Sequence, residues 1–525
     1  MLGVMIDCSR NAVMKPEKVK QFAGIIRKMG YDTLMLYTED TYEIDNQPLF
    51  GYMRGRYTMA EIKDIDRYCN DIGIELVPCI QTLAHLGRIF KWQEYKQIND
   101  CDDILFVDEE KTYELIDDML RTVSECFTSK KIHIGMDEAE RVGLGKYREQ
   151  YGMCERFDII NRHLHRVCDI SEKYGLTPMI WSDMFCRLAS DSQSYHECCN
   201  ISDIIEKANL PENVSLVYWD YYSSEYEHYA NMIKINQAFE KEVIFAGGAW
   251  TWKGFAPDNT MSIKNTEPAL KACRDNGVKN VFMTVWGDDG AECSCFAILP
   301  ALMYTAQKFK GNDSTDDMKY RFKEITGYDF DSFTLLDKFD TPGGKHNYNP
   351  SKYLLYNDVF CGLNDYRCDG TEDDYYKNLA CELEKVDVSE QYGYIFKMYR
   401  QLADVLSVKS DLGIRLKSAY DAGDTEELKT IADDCGAVVK KLEDFHSTFE
   451  KYWFEENKPY GFDIQDLRVG GVIQRVKSCR DRLLRYIGGE TECIPELEEK
   501  RIAEDCGIHW AGMVSVNVIS HSLLV

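Results

Sequence analysis

The chain has 525 residues, of which 62 are Lys or Arg and 89 are Asp or Glu, so its formal charge is −27. With 44% apolar residues it can bury a large core, which excludes a disordered chain. The acidic excess disfavours a nucleic-acid partner and an anionic membrane surface, because both are bound through clustered Lys and Arg. We therefore expect a folded protein that binds neither nucleic acid nor membrane.

The cysteines and the first residues bear on the cellular compartment. The 20 cysteines are too few and too scattered for a disulfide scaffold, and they contain no Cys-x-x-Cys pair. We interpret them as reduced thiols in a cytoplasmic protein. Residues Met1 to Asp7 lack the basic stretch and the long apolar stretch of a signal peptide and predict a strand. The sequence contains no run of about 18 apolar residues, so we expect no membrane span.

Short apolar runs alternate with helical patterns through the first 300 residues. The strand candidates are Gly3–Ile6, Thr33–Tyr37, Glu75–Cys79, Lys131–Met136, Pro178–Trp181, Ser215–Trp219, Glu242–Ala246 and Asn280–Trp286. They lack strict alternation of apolar and polar residues, as in strands that are covered on both faces. Eight strand-helix units predict an α/β fold, a (β/α)8 TIM barrel over residues 1–310, and a doubly wound open sheet is the alternative.

The pattern becomes helical after residue 310. Apolar residues recur at helical spacing from Ile395 to Leu416, from Leu428 to Tyr452 and from Ile473 to Ile487. We expect a mainly α-helical C-terminal region over residues 311–525, with a last strand signal at Met513–Leu524. The Gly-, Asn-, Asp- and Tyr-rich stretch from Lys338 to Asp374 is predicted to be a junction. The helices either cap the barrel or supply the contact surface of a homodimer.

In a barrel of this type the active site lies at the carboxyl ends of the strands. Five of the eight tryptophans fall at these ends, among many polar residues. In strand order, the residues at the ends are Arg10; Glu39 and Asp40; Gln81 and His85; Asp137 and Glu138; Trp181 and Asp183; Trp219, Asp220, Tyr221 and Tyr222; Trp250 and Trp252; Trp286 and Asp288. Indole faces stack on the C–H faces of a sugar ring, and carboxylates and Arg bind its hydroxyls. This concentration favours a sugar site over tryptophans that merely fill the core.

Two adjacent carboxylates, Asp137 and Glu138, follow the fourth predicted strand. Like charges at close range raise the pKa of one partner, and a raised glutamate pKa suits a general acid near neutral pH. The alternative is that Glu138 only begins the next helix. Both side chains can serve one substrate only if the strand has ended, because neighbours within a strand point to opposite faces. We therefore expect both residues in the turn after the strand.

The stretch from His133 to Ala139 resembles the His-x-Gly-x-Asp-Glu signature of glycoside hydrolase family 20, the exo-acting β-N-acetylhexosaminidases. Residues Asp7 to Arg10 resemble the Asp-x-Ser-Arg of that family, and Trp286-Gly287-Asp288 is similar to its Trp-Gly-Glu with Asp in place of Glu. Of the family's Pro-Gly-His turn only His85 is kept. The family usually has a small α/β domain before the barrel, and the helical C-terminal region is similar to that of a subgroup.

The resemblance implies substrate-assisted catalysis with retention of configuration. The 2-acetamido oxygen would attack the anomeric carbon and form an oxazolinium intermediate. Glu138 would then be the general acid and base, and Asp137 would orient the acetamido group. A tyrosine hydroxyl is expected on the acetamido oxygen, with Tyr221 as the first choice and Tyr222 as the second. The expected substrate is an oligosaccharide or glycoconjugate with a terminal β-linked N-acetylhexosamine, and no cofactor or metal is expected.

The same resemblance assigns substrate-binding and supporting residues. Arg10 is expected on the 3- and 4-hydroxyls and Asp288 on the 4- or 6-hydroxyl. The tryptophans expected to wall the sugar are Trp181, Trp219, Trp250, Trp252 and Trp286. The residues expected to support the acid pair are Glu39, Asp40, His85 and His133.

Two rival functions remain at this point. A metal-dependent barrel hydrolase would gather His85, His133, Asp137, Glu138 and Asp183 around a divalent ion. No His-Glu-x-x-His spacing supports such a site. A non-catalytic sugar-binding protein would keep the tryptophans, but it would not need an acid beside a second carboxylate.

Overall fold

A computed structural model describes residues 1–189, 195, 201–344, 349–389 and 391–501 of the chain. Eight parallel strands form a closed barrel in which each strand pairs with the next along the chain. The strands are β1 (Leu2–Asp7), β2 (Thr33–Tyr37), β3 (Glu75–Cys79), β4 (Lys131–His133), β5 (Thr177–Trp181), β6 (Ser215–Trp219), β7 (Val243–Gly248) and β8 (Asn280–Val285). β1 pairs with β8, with Gly3 opposite Phe282. This closure confirms the predicted barrel and excludes the open sheet.

Helices cover the outside of the barrel. They are α1 (Pro16–Met29), α2 (Met59–Asp71), α3 (Glu110–Cys126), α4 (Lys146–Tyr151), α5 (Arg156–Lys173), α6 (Asp183–Ala189), α7 (Ile201–Lys207), α8 (Tyr226–Gln237), α9 (Asn259–Asp275) and α10 (Leu299–Phe309). α1 begins with Pro16 and ends at Gly30, whose φ of 113° allows the chain to turn into β2. Val19, Phe22 and Ile26 of this helix face the strands and are fully buried.

The barrel interior is packed with side chains and is capped by aromatic rings. Met5, Met35, Val77, Ile244 and Phe282 are among the inward-facing residues, and all are almost fully buried. Trp181 belongs to the same cluster, and Trp219 and Trp286 pack against it. Since these three tryptophans stand at or just after the carboxyl ends of their strands, the interior core ends in an indole layer. That layer forms the floor on which a ligand can rest.

The C-terminal region is helical, as predicted. Its helices are α11 (Thr315–Thr326), α12 (Phe330–Thr334), α13 (Pro350–Tyr356), α14 (Glu372–Leu383), α15 (Gly393–Lys409), α16 (Leu412–Ala422), α17 (Thr425–Glu456), α18 (Phe462–Ile487) and α19 (Pro495–Glu498). The predicted junction contains α13, all seven residues of which are buried. The strand signal at Met513–Leu524 lies outside the described residues. The boundary at residue 310 stays a prediction.

Phe255, in the loop after β7, packs against Phe445 and Phe449 of α17 at ring distances of 5.8 and 5.7 Å. These rings join the C-terminal helices to the face of the barrel where the active site is expected. Among the described residues, no helix is both long enough and apolar enough to cross a membrane.

Candidate active site

A solvent-open pocket lies at the carboxyl ends of the barrel strands. Its wall combines three carboxylates, one arginine and six aromatic rings. The lining residues are Arg10, Asp137, Glu138, Trp181, Trp219, Tyr221, Tyr222, Trp252, Trp286 and Asp288. They come from the ends of β1, β4, β5, β6, β7 and β8. The pocket therefore brings together residues that are up to 278 positions apart in the sequence, as expected at this face of a barrel.

The acid pair lies in a tight turn after β4, as the sequence argument required. The strand ends at His133, and Gly135, Met136 and Glu138 have φ values of 74°, 71° and 52°. A Cβ on Gly135 would come within 2.1 Å of the Gln81 side-chain oxygen, so only glycine fits there. The predicted strand was too long because these left-handed residues end it. The turn allows both Asp137 and Glu138 to reach the same pocket.

The pKa values of the two carboxyls are shifted in opposite directions. Asp137 is buried, which would raise its pKa, but the His85 imidazole 3.2 Å away and the Gln81 amide hold the pKa of Asp137 below its usual range. Asp137 in turn raises the pKa of His85 to about 10, against the opposing effect of burial. The side chain of Glu138 is half-exposed, and its partial burial together with the Asp137 charge raises its pKa. The pair thus contains one stable anion and one group that protonates more readily.

Arg10 and Asp288 line another part of the pocket wall. Arg10 Nε lies 3.7 Å from Asp288 Oδ1 and 3.2 Å from Glu39 Oε1. Partial burial raises the pKa of Asp288 to about 6, although Arg10 opposes this shift. Burial likewise raises the pKa of Glu39 to about 7. The Asp7 carboxylate accepts from the backbone N–H groups of Ser9 and Arg10, which fixes the turn that carries the guanidinium.

Aromatic rings form the remaining wall. Trp219 stacks on Tyr221 at 5.2 Å, and Trp181 lies 6.2 Å from Trp286. Tyr221 is almost fully buried, whereas Tyr222 is 56% exposed. Both rings line the pocket, Tyr221 in its buried part and Tyr222 where the pocket meets solvent. This difference favours Tyr221 over Tyr222 for a contact with a group held deep in the pocket.

Three of the residues singled out in the sequence lie behind this lining. Trp250 stacks on the rear of Trp252 at 4.6 Å and donates its indole N–H to the Tyr221 carbonyl, so it supports the wall without forming it. Asp40 pairs with Arg54 at 3.2 Å rather than with the acid pair. His133 is fully buried under Trp181, and its Nδ1 accepts from the Gly135 N–H. A position at a strand end does not decide which side of the wall a residue occupies.

Comparison with protein families bears on this pocket. Residues 3–237 match the model described as the catalytic domain of glycosyl hydrolase family 20. The matched range includes the acid pair. Residues 331–507 match the model described as the glycoside hydrolase 20C C-terminal domain. The chain belongs to glycoside hydrolase family 20. Its β7 and β8 residues, Trp252, Trp286 and Asp288, lie beyond the matched part of the catalytic model, and only their geometry places them in the family 20 pocket.

Individual relatives of the family 20 chain are distant. Human Hexosaminidase D is 21% identical over 221 residues, covering 40% of this chain and 43% of the relative. Hexosaminidase D of Bos taurus is 22% identical over 206 residues, covering 38% and 56%. The chain thus spans about half the length of these curated relatives.

Solved structures are similarly remote. An exo β-N-acetylglucosaminidase from Vibrio harveyi, in complex with N-acetylglucosamine, has a TM-score of 0.48 at 16% identity, covering 64% of this chain and 58% of that one. An N-acetyl-β-hexosaminidase from Streptomyces plicatus has a TM-score of 0.46 at 19% identity, covering 64% and 68%. With scores below 0.5, these likenesses add nothing to the family assignment, which rests on the two family models.

One group in the family 20 pocket has the composition of a metal site. Potential ligand atoms of His85, Asp137 and Glu138 all lie within 4.8 Å of one another. Two cations lie next to this group: Arg10 is 3.4 Å from His85, and Arg187 is 3.4 Å from Glu138. Positive charge at that distance disfavours a divalent ion. Asp183 and His133, the other residues of the metal hypothesis, do not join the described group.

Three polar residues hold the acid pair in place. Gln81 donates to Asp137 at 2.8 Å, and its oxygen accepts from the Met136 N–H at 3.2 Å. Asp183 is fully buried and accepts from the Glu138 N–H at 3.2 Å, while Arg187 bonds both Asp183 and Glu138. From the sequence, Gln81 is predicted only as a strand-end residue, and Asp183 as a strand-end residue and a ligand of the metal hypothesis. Arg187 lies one helical turn past Asp183, and that spacing was its only signal in the sequence.

The Gln81 contact leads to a prediction. Gln81→Ala should lower kcat/KM about 10- to 100-fold, since hydrogen bonds to charged groups contribute about 1.5–3 kcal/mol. Loss of the amide donor raises the pKa of Asp137. The acid limb of the pH–rate profile, where activity is lost as the pH falls, should therefore move to higher pH. Thr82→Val is the control, because the Thr82 hydroxyl donates to the Ile134 backbone carbonyl rather than to the Asp137 carboxylate. An equal displacement of the acid limb in both variants would contradict the assignment.

Proposed function

We propose that this chain is an exo-acting, retaining β-N-acetylhexosaminidase. It would remove terminal β-linked N-acetylglucosamine or N-acetylgalactosamine from an oligosaccharide or glycoconjugate. The observation that carries the proposal is the pair of neighbouring carboxyls, Asp137 and Glu138, with opposite pKa shifts in one aromatic pocket. The names of the relatives, Hexosaminidase D among them, support the same activity.

Asp137 is suited to hold the acetamido group. As a stable anion it would accept the acetamido N–H and turn the carbonyl oxygen towards the anomeric carbon. It would also stabilise the positive charge of the oxazolinium intermediate that follows. Fixing an internal nucleophile in this way removes part of the entropic barrier. Trp181, Trp219 and Trp286 would enclose the acetamido group, with the Tyr221 hydroxyl on its oxygen.

Glu138 is suited to move the proton. With a raised pKa and a half-exposed position, it would protonate the departing glycosidic oxygen and then take a proton from the incoming water. Water would open the intermediate from the face that the aglycone left, which restores the original configuration. Arg187 and His85 lie beside this carboxyl at 3.4 and 3.7 Å and would keep it oriented.

Arg10 and Asp288 would recognise the hydroxyls of the terminal sugar. The guanidinium would donate to the 3- and 4-hydroxyls, and Asp288 would accept from the 4- or 6-hydroxyl. Asp288 takes the place of a family glutamate, and its shorter side chain would draw the sugar closer to the end of β8. These two residues bind the non-reducing end, which would make the enzyme exo-acting.

The proposal is tested with a panel of nitrophenyl β-glycosides. The N-acetylglucosaminide and N-acetylgalactosaminide should be hydrolysed, and the plain glucoside should be cleaved at least about 100-fold more slowly, since it lacks the internal nucleophile. A thiazoline mimic of the intermediate should inhibit more strongly than free N-acetylglucosamine. The same assays in EDTA should give unchanged rates, which separates this function from metal-dependent hydrolysis. Equal rates on the glucoside would overturn the proposal.

We also propose a cytoplasmic location. The support is the cysteine usage, because every cysteine in the described part of the chain is a free thiol.

A further inference from the structure

The loop that follows Asp288 has an unfavourable backbone. Asp289, Gly290 and Ala291 are three consecutive residues with positive φ, at 58°, 129° and 55°. Two of them carry a Cβ and rarely adopt this conformation. Such a conformation persists only where the surroundings hold it in place. The position of Asp288 in the sugar pocket therefore depends on whatever holds these next three residues.

The C-terminal helices hold this loop. Arg468 of α18 donates to the Asp289 carbonyl at 2.6 Å and to the Glu292 carboxylate at 2.9 Å. Lys352 of α13 reaches the same two residues at 3.1 and 3.0 Å. The Lys352 and Glu292 side chains are essentially inaccessible to solvent. The loop thus rests on a group of two cations and two carboxylates, in which Lys352 and Glu292 are buried and Arg468 and Asp289 are partly exposed. Both cations are supplied by the C-terminal region.

The loop that carries Arg10 is attached to the same region. Asn11 donates to the Gly461 carbonyl at 2.8 Å and to the Gly290 carbonyl at 3.4 Å. Gln465 also donates to Gly290, at 2.8 Å. The backbone N–H of Lys15 donates to the Glu456 carbonyl at 2.9 Å. Residues from the end of α17 to the middle of α18 therefore contact both loops that carry the charged hydroxyl-binding side chains.

We propose that Arg468 is a positioning residue for sugar recognition. Through Asp289 and Glu292 it fixes the loop that places Asp288 beside Arg10, so α18 belongs functionally to the part of the pocket that recognises hydroxyls. The inference rests on the proposed function, since it concerns the hydroxyls that Asp288 and Arg10 bind. It does not concern the acid pair, because the Arg468 contacts seen among the described residues are with Asp289 and Glu292.

The test compares two arginines of the same helix. Arg468→Met removes the contacts to the loop, whereas Arg475→Met removes an ion pair with Asp358, at 2.6 Å, inside the C-terminal region. The substrates are the nitrophenyl N-acetyl-β-glucosaminide and its 4-deoxy and 6-deoxy analogues. Arg468→Met should lower kcat/KM on the full sugar about 10- to 100-fold, because small displacements of binding groups have effects of this size. The decrease should be much smaller for the analogue that lacks the hydroxyl bound by Asp288.

The controls separate positioning from general damage. Arg475→Met should leave the ratio between the full and deoxy sugars unchanged, and Arg468→Lys should restore part of the discrimination. The proposal would be overturned if Arg468→Met lowered kcat/KM equally on all three substrates, or if it kept the wild-type ratio between the full and deoxy sugars. It would also be overturned if Arg475→Met changed that ratio in the same way. If Arg468→Met does not fold, Gln465→Leu takes its place with the same expectation.

Failure of the proposed function is distinguishable from failure of this inference. A wild-type chain that cleaves none of the substrates would refute the hydrolase. Calorimetric binding of N-acetylglucosamine and its 4-deoxy and 6-deoxy analogues would then measure the same contrast between the wild type, Arg468→Met and Arg475→Met. Loss of discrimination in Arg468→Met alone would still support the positioning role, and equal binding by all three proteins would overturn it.

Discussion

Glu138→Gln should lower turnover on nitrophenyl N-acetyl-β-glucosaminide by roughly 100- to 10,000-fold, the usual contribution of a general acid and base. The substitution keeps the size of the side chain but removes the proton that it supplies. The loss should grow as the leaving group becomes more basic, because a poor leaving group depends more on protonation. Steady-state rates over a series of substituted phenyl glycosides measure this dependence. The basic limb of the pH–rate profile, which reflects loss of the Glu138 proton, should disappear.

Glu140→Gln is the matched control for this substitution. Glu140 lies two residues further on and pairs with Arg187 at 2.8 Å, but it does not line the pocket. Its variant should keep most of the activity. Glu138→Gln should melt at an equal or slightly higher temperature than the wild type. A raised folded-state pKa means that the Glu138 carboxylate opposes folding above that pKa, and Gln removes this charge. Wild-type turnover in Glu138→Gln, or an equal loss in Glu140→Gln, would contradict the proposed role.

Asp137→Asn should lower turnover on the same substrate by about 100- to 1,000-fold, the effect of removing one preorganised electrostatic contact. The variant should lose affinity for a thiazoline mimic by a larger factor than for N-acetylglucosamine, because the mimic reproduces the ring of the intermediate and, once protonated on nitrogen, its positive charge. Inhibition constants for the two ligands measure the difference. Equal losses for both ligands would show that Asp137 only shapes the pocket.

The same substitution changes the titration of His85. Asp137 holds the pKa of His85 at about 10, and burial acts in the opposite direction. Without the carboxylate, the pKa of His85 should fall, so the ring should lose its proton at a lower pH than in the wild type. The ring resonances of His85, followed by NMR over a pH series, would show this. An unchanged His85 titration in Asp137→Asn would contradict the ion pair.

Much of the barrel could be predicted because its signals are local. The strands are short apolar runs. The largest excess in a predicted strand is in β4, which left-handed residues at Gly135 and Met136 end, while β8 ends one residue before the predicted Trp286. The resemblance to family 20 located the acid pair through a compact motif. The helical spacing from Ile395 to Leu416 is divided between α15 and α16, a break that apolar periodicity does not reveal.

What escaped prediction depends on contacts between distant segments. Gln81 and Arg187 bond the acid pair only because the segments that follow β3, β4 and β5 meet above the barrel. Trp250 and Trp252 are two residues apart, yet Trp252 lines the pocket and Trp250 lies behind it. The loop after β7 has no strand periodicity from which this could be predicted. Nothing in the sequence pairs Arg468 with Asp289, which lies 179 positions earlier.

The bond between Asn11 and Gly461 joins residues 450 positions apart. At roughly 5–20 residues per second, a ribosome needs about 20 to 90 s to make the intervening chain. During this interval the loop after β1, which contains Asn11, lacks its contact with Gly461. Activity should therefore emerge late during translation, well after the eighth strand has left the exit tunnel, and a nascent barrel would need protection from aggregation until α18 arrives.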